Sequence, residues 1–200
     1  VGDDGWLLIS VHTGGVAASR MYAWRTLRRL GAVYLQQSVC MLPDRPTVRR
    51  TVTRMAGRLR EQGSQVQLLR VRLTDADEHA ALIVQQRAER DVEYAEVVSR
   101  VPELLVEIEQ ETARGRATYT EVEESEADLE RFQRWMARIA ERDYFAAPGG
   151  AAARDAVGRC EAALSAFEAA ALQADIGIPE PDTAPAQPKT GRRFRIVDSD

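Results

Sequence analysis

The sequence predicts an α+β protein, in which a four-stranded unit with two helices is followed by a mostly helical region. Short apolar runs near 6–12, 32–42 and 65–73 are bounded by glycine or proline, as buried or half-buried strands are. Between them, two arginine-rich stretches carry apolar residues at helical spacing. After Thr74 the strand signals stop, and the apolar residues recur every three or four positions.

"WLLISVH", 6–12, lies between Gly5 and Gly14-Gly15 and reads as a buried strand. From Ala17 to Leu30 the period is helical. Met21, Trp24 and Leu27 share a face, while Arg20, Arg25, Arg28 and Arg29 fall largely off it. Gly31 follows, where a helix C-cap needs a residue that tolerates positive φ. In "GAVYLQQSVCMLPD", 31–44, a polar break divides two apolar runs, so the segment reads as two strands joined by a tight turn near Gln36-Gln37. Asp44 is expected to cap the next helix, with Pro46 in its first turn. Val48, Val52, Met55 and Leu59 form that helix's apolar stripe, and Arg50, Arg54 and Arg58 repeat on nearly the opposite side. Gly63 ends it. In "QVQLLRVRL", 65–73, Val66, Leu68, Val71 and Leu73 alternate with Gln67, Arg70 and Arg72, the pattern of a half-buried strand. The order strand–helix–strand–strand–helix–strand is ferredoxin-like βαββαβ, with both helices expected on one sheet face.

One helix is expected from about Asp75 through "RDVEYAEVVSR", and a second from Pro102, a helix start or a kink, to Arg114, stopping at Gly115. A third is expected from Thr120 to about Asp143, with Thr120 and Glu123 as a capping box and Val122, Leu129, Phe132, Met136 and Ile139 as its stripe. "APGG", 147–150, precedes a fourth with Val157, Cys160, Leu164, Phe167 and Ala171. The last two are expected to pack as an antiparallel helical hairpin. "IPEPDTAPAQPKTGRR" is proline-rich and unpatterned, a flexible tail or linker. The expected organisation is therefore a basic ferredoxin-like domain at 1–74, an acidic helical region at 75–175 and a tail at 176–200.

Charge follows the same division. Residues 1–74 hold 12 Arg against 4 Asp/Glu, a net +8, whereas 75–175 hold 11 Arg against 23 Asp/Glu, a net −12. The basic part is the one expected to meet an anion. No run of eighteen apolar residues reads as a membrane span, and "VGDDGW" lacks the pattern of a signal peptide, so a cytoplasmic protein is expected. Cys40 and Cys160 sit singly in apolar patterns and read as small core residues.

No metal site, cofactor site or catalytic constellation can be argued from spacing. "EVEESEADLE" lacks the ligand pattern of a calcium loop and reads as a solvated helix N-terminus. His12 and His79 are isolated and read as structural, and "HTGG" as a plain turn. The arginines remain. A helix with basic residues opposite its core face can lie along phosphates, so Arg20, Arg25, Arg28, Arg29, Arg49, Arg50, Arg54 and Arg58 are the expected DNA contacts. The competing expectation is an adaptor whose basic face docks on acidic helices, in this chain or a partner.

These residues also carry a resemblance. "WLLISVH", "SRMYAWRTLRRLGAVYLQQSVCMLP", "ARGRATYTEVEESEADLERFQRWMARIAERDYFAAP" and "RCEAALSAFEAAA" together resemble the N-terminal domain of the chromate resistance protein ChrB family, over about residues 6–175. Its most telling parts are Trp24-Arg25, Gly31-Ala32, Ser38-Val39, Leu42-Pro43 and Trp135…Arg142-Asp143. The first half also resembles the Cas2-like module of phenylacetate-type repressors. The resemblance implies a cytoplasmic regulator of a chromate-efflux operon that binds promoter DNA and responds to chromate. It also implies a second, C-terminal domain in full-length members. Cas2-type nucleases place an acidic residue at the end of the first strand, where this chain has His12. For a chromate effector, Arg20, Arg25, Arg28 and Arg29 are the expected partners, because a divalent oxyanion favours bidentate guanidinium contacts. A homodimer through the sheet or the hairpin is expected from the stripes 129–139 and 157–171.

Overall fold

The computed structural model describes residues 5–113 and 119–176. Its elements in chain order are β1 (Trp6–His12), α1 (Ala17–Arg29), β2 (Val33–Gln36), β3 (Val39–Pro43), α2 (Pro46–Glu61), β4 (Gln65–Val71), α3 (Ala76–Ala113), α4 (Tyr119–Ala140) and α5 (Gly149–Ile176). The protein is α+β, with one four-stranded antiparallel sheet, and is mostly helical. The expected tail beyond 176 and the helix stop at Arg114-Gly115 lie outside the described residues.

The sheet order is β2-β3-β1-β4. β1 is central, with Leu7 opposite Leu42 on β3 and Ile9 opposite Leu68 on β4. Alternation sends Leu7, Ile9, Cys40 and Leu42 into the core beneath α1 and α2, where they meet Leu27, Val48, Val52, Met55 and Leu59. Trp6, Val33 and Met41 face the other way, against Leu82 from the start of α3 and against Phe145. The hairpin turn falls at Gln37-Ser38, one residue later than expected, because a register shift between Tyr34 and Gln36 lengthens β2.

The α2 stripe is buried as its spacing predicts, but α1 differs. Its buried residues are Ser19, Ala23, Thr26 and Leu27, whereas Met21 and Trp24 are 46% and 37% exposed. Small side chains let α1 sit close to α2. Ser19 Oγ donates to Gln62 Oε1 at 3.1 Å, and Thr26 Oγ1 turns back to the Tyr22 carbonyl at 2.8 Å. A Met or Trp on that line would hold the two helices apart.

Asp44 does not cap α2. The N-cap is Arg45, without a side-chain bond, and Pro46 opens the helix. Asp44, with its side chain 2% exposed, instead accepts Arg49 Nε at 2.7 Å and Arg70 Nε at 2.6 Å, which ties α2 to β4. Burial alone would raise its pKa, but the two guanidiniums together outweigh burial and hold it below the ordinary carboxylate value. A depressed native pKa gives stability that is complete above the unfolded-state value, near pH 4, and lost as pH falls through the native one. Asp44→Asn should therefore cost about 1–2 kcal/mol at neutral pH, because both arginines are themselves substantially exposed. Urea midpoints measured from pH 7 down to pH 3 should converge for the two proteins at the acid end.

α3 runs unbroken through Pro102, where a new helix or a kink is expected. Proline in a helix interior costs about 3 kcal/mol. It is tolerated here because Pro102 is exposed while Tyr94, Val97, Val101, Leu104 and Ile108 form one buried stripe across it. α4 begins at Tyr119, so Thr120 already lies inside the helix and does not cap it. The stripes of α4 and α5 pack together and both against α3, so Leu129, Phe132, Ile139, Val157, Leu164 and Phe167 are buried within the chain. The apolar stripes of α4 and α5 that motivated the expected dimer are used internally. Cys40 and Cys160 are free and buried, as expected.

The helical region grips the end of α1. Tyr144 Oη donates to the Leu30 carbonyl at 2.9 Å, and Gln86 Nε2 lies 3.1 Å from both the Gly31 and Arg142 carbonyls. Gln86 and Arg90 are buried beneath Gly31. Arg142 reaches Glu93 at 3.1 Å, and Tyr94 Oη donates to Asp143, which in turn accepts the Ala147 N–H. No helix among the described residues is long and apolar enough to cross a membrane.

Candidate nucleic-acid interface

α1 and α2 run antiparallel. Ser19 meets Gln62 at one end, and the Arg58 guanidinium lies 4.8 Å from the Tyr22 ring centre. The same register sets Arg25 level with Arg54. Because Arg50, Arg54 and Arg58 recur every four residues opposite the stripe that faces the sheet, packing that stripe turns all three outward. They are exposed, as are Arg20, Arg25, Arg28 and Arg29 on α1.

Their partners distinguish them. Arg20, Arg25, Arg29, Arg50 and Arg54 make no ion pair with a described residue, and Arg28 lies 5.0 Å from the Trp24 ring centre. Arg49, expected among the DNA contacts, is committed to Asp44. Arg60 and Arg70 are also engaged: Arg60 donates to the Val66 carbonyl at 2.6 Å, and Arg70 holds the other Asp44 oxygen. The acidic region supplies its own counter-ions, as in Arg142–Glu93, Arg100–Glu96 and Arg134–Glu130. Among the described residues, the exposed arginines of α1 and α2 are thus not paired with the acidic helices of the same chain.

The four α1 arginines expected to meet an oxyanion fan over roughly half the helix circumference. Arg20 and Arg28 flank Trp24, while Arg25 and Arg29 are rotated towards α2. They do not converge on one point.

Beside this layer lies a cleft of about 750 Å³, formed by the 12–15 loop, α1 and the β2–β3 hairpin. Arg20, Met21, Trp24 and Tyr34 line it, and Leu27 and Cys40 lie deeper. Gly14 and Gly15, at φ 58° and 87°, turn the chain from β1 into α1. His12, read as structural, is exposed at the rim. Burial first, then the neighbouring Cys40, pushes the Tyr34 phenol up to about 12 against the opposing pull of Arg28, and burial pushes the Cys40 thiol up to about 12. Both stay protonated at neutral pH, which leaves Cys40 unreactive. The sequence reading missed this cleft. Its one signal was two large apolar residues, Met21 and Trp24, on a helix whose neighbours at those angles are arginines. Among the described residues, no group of His, Cys, Asp and Glu could hold a metal ion.

A search of curated proteins finds no match. The family model "Protein ChrB, N-terminal" matches residues 20–176, from inside the first helix to the end of the last. The matched span contains the exposed arginines, the part of the cleft wall from Arg20 onward and the joint of Gly31 with Gln86 and Arg142. The chain belongs to the N-terminal family of the chromate resistance protein ChrB and is thereby associated with chromate resistance.

Proposed function

We propose that this protein is a cytoplasmic, DNA-associated regulator of chromate resistance that contacts the phosphate backbone through the outer face of α1 and α2. The observation that carries this reading is the set of exposed arginines without an ion pair to any described residue, Arg25, Arg29, Arg50 and Arg54, on one two-helix layer. An anionic polymer lying across that layer would release counterions at each phosphate neutralised. Arg49 is left out of the contact set because Asp44 occupies it. We further read residues 1–74 as a ferredoxin-like, Cas2-like basic domain joined to an acidic helical region at 75–175. The element order and the central place of the first and third strands support that reading.

The test is fluorescence anisotropy with the protein's own upstream DNA and with a scrambled duplex, across a salt series, with and without chromate. Binding to the upstream DNA with a steep salt slope, relieved by chromate, is the expected result. Equal binding to both duplexes would reduce the face to a non-specific basic surface. No binding at low salt would overturn the reading in favour of an adaptor.

A further inference from the structure

α1 exposes Met21 and Trp24 although the core beneath the helix is filled by smaller residues. Both line the 750 Å³ cleft, which is within the size range of small-molecule sites and has a mainly apolar wall. A bare tetrahedral oxyanion would leave most of this volume empty and would gain nothing from Trp24, Met21 or Leu27. The polar side chains of the lining come from the end of β1 and the loop after it (His12, Thr13), from α1 (Arg20) and from β2 and its turn (Tyr34, Gln37, Ser38). Arg20, which has no ion pair with a described residue, projects from the first turn of α1 beside Gly14 and Gly15. Val16 provides no side-chain cap, so no cap side chain competes for the first-turn N–H groups. A carboxylate there would meet a guanidinium and a helix N-terminus, while a planar body would lie along Trp24 towards Tyr34.

We propose that the cleft is a binding site for a small carboxylate with a planar aromatic body, a ligand distinct from chromate. The proposal does not depend on DNA binding. It needs three features together: a cavity of ligand size, an aromatic side chain left unburied beside it, and, in Arg20, a lining cation with no ion pair to a described residue. The Arg28 guanidinium lies 5.0 Å from the Trp24 ring centre, which limits where the ligand body can stack and places the occupied cleft next to the arginine layer.

The chain's three tryptophans make the test specific, because Trp6 and Trp135 are buried and only Trp24 is substantially exposed. Fluorescence titration and calorimetry would use 2-naphthoate, its neutral amide 2-naphthamide, and sulfate. Expected is a saturable change in emission with 2-naphthoate, about tenfold weaker binding of the amide, and no saturable change with sulfate. Arg20→Gln should weaken naphthoate to the level of the amide, and Trp24→Phe should remove the optical signal while calorimetry still detects binding. Lack of saturation by 2-naphthoate at millimolar concentration would overturn the proposal. So would equal binding of acid and amide in both the parent protein and Arg20→Gln, or sulfate binding as tightly as naphthoate.

Discussion

Gly31→Ala should lower the free energy of unfolding by about 3 kcal/mol, the sum of a left-handed backbone and an overfilled joint. Gly31 adopts φ 70°, and a Cβ built on it would stand 2.3 Å from Arg90 Nη1 and 3.0 Å from Gln86 Nε2. Neither neighbour can readily withdraw. Gln86 is held between the Gly31 and Arg142 carbonyls, and Arg90, 4% exposed, donates from Nη2 to Glu93 at 3.3 Å. Urea denaturation would read the change as a fall in midpoint at constant slope. Repeating the substitution in an Arg90→Ala background separates the two causes. Glu93 remains paired with Arg142 there, so part of the loss should return if the obstacle is Arg90. An undiminished loss would assign the effect to the backbone conformation, and a loss under about 1 kcal/mol would contradict the close approach itself. The joint bears on function because the Leu30 and Gly31 carbonyls it holds are the end of the arginine helix.

Gly31 also marks where local reading succeeds and where it stops. Its left-handed C-cap role was legible from the apolar period ending at Leu30, since capping is settled within a few residues. What packs against it was not, because Gln86, Arg90 and Arg142 arrive from far along the chain. The four strands and the α2 stripe were legible for the same local reason. Asp44 was misread as a cap because its type and place fit one, whereas Arg70, 26 residues away, provides the competing bond. Pro102 was not a helix start, because proline's cost is local and the α3 stripe that runs across it, from Tyr94 to Ile108, is buried against two other helices. At the candidate interface, periodicity gave the outward arginines correctly. It could not separate Arg49 from Arg50, nor show that Met21 and Trp24 face a cleft, since hydrophobic spacing records a face and not what covers it.

That separation supplies an experiment that sets position against charge count. Replacing Arg25, Arg29, Arg50 and Arg54 by Gln removes four positive charges that have no ion pair with a described residue, and should leave the denaturation midpoint nearly unchanged. If each contacts a phosphate, the slope of log affinity against log salt should fall by about 0.9 per residue, close to 3.6 for the four. The counterpart Arg49→Gln/Arg60→Gln loses bonds to Asp44 and to the Val66 carbonyl, and should cost about 1 kcal/mol of stability per residue with little change in slope. Long-range attraction would respond to net charge alone, so two removals would cost half as much slope as four wherever they were made. Contact by this face predicts instead that the loss follows position. If the Arg49/Arg60 variant, still folded, lost slope in proportion to its charge, the outer face of α1 and α2 would be only part of a diffuse positive field. If the fourfold variant kept its slope, the DNA would have to lie elsewhere on the protein.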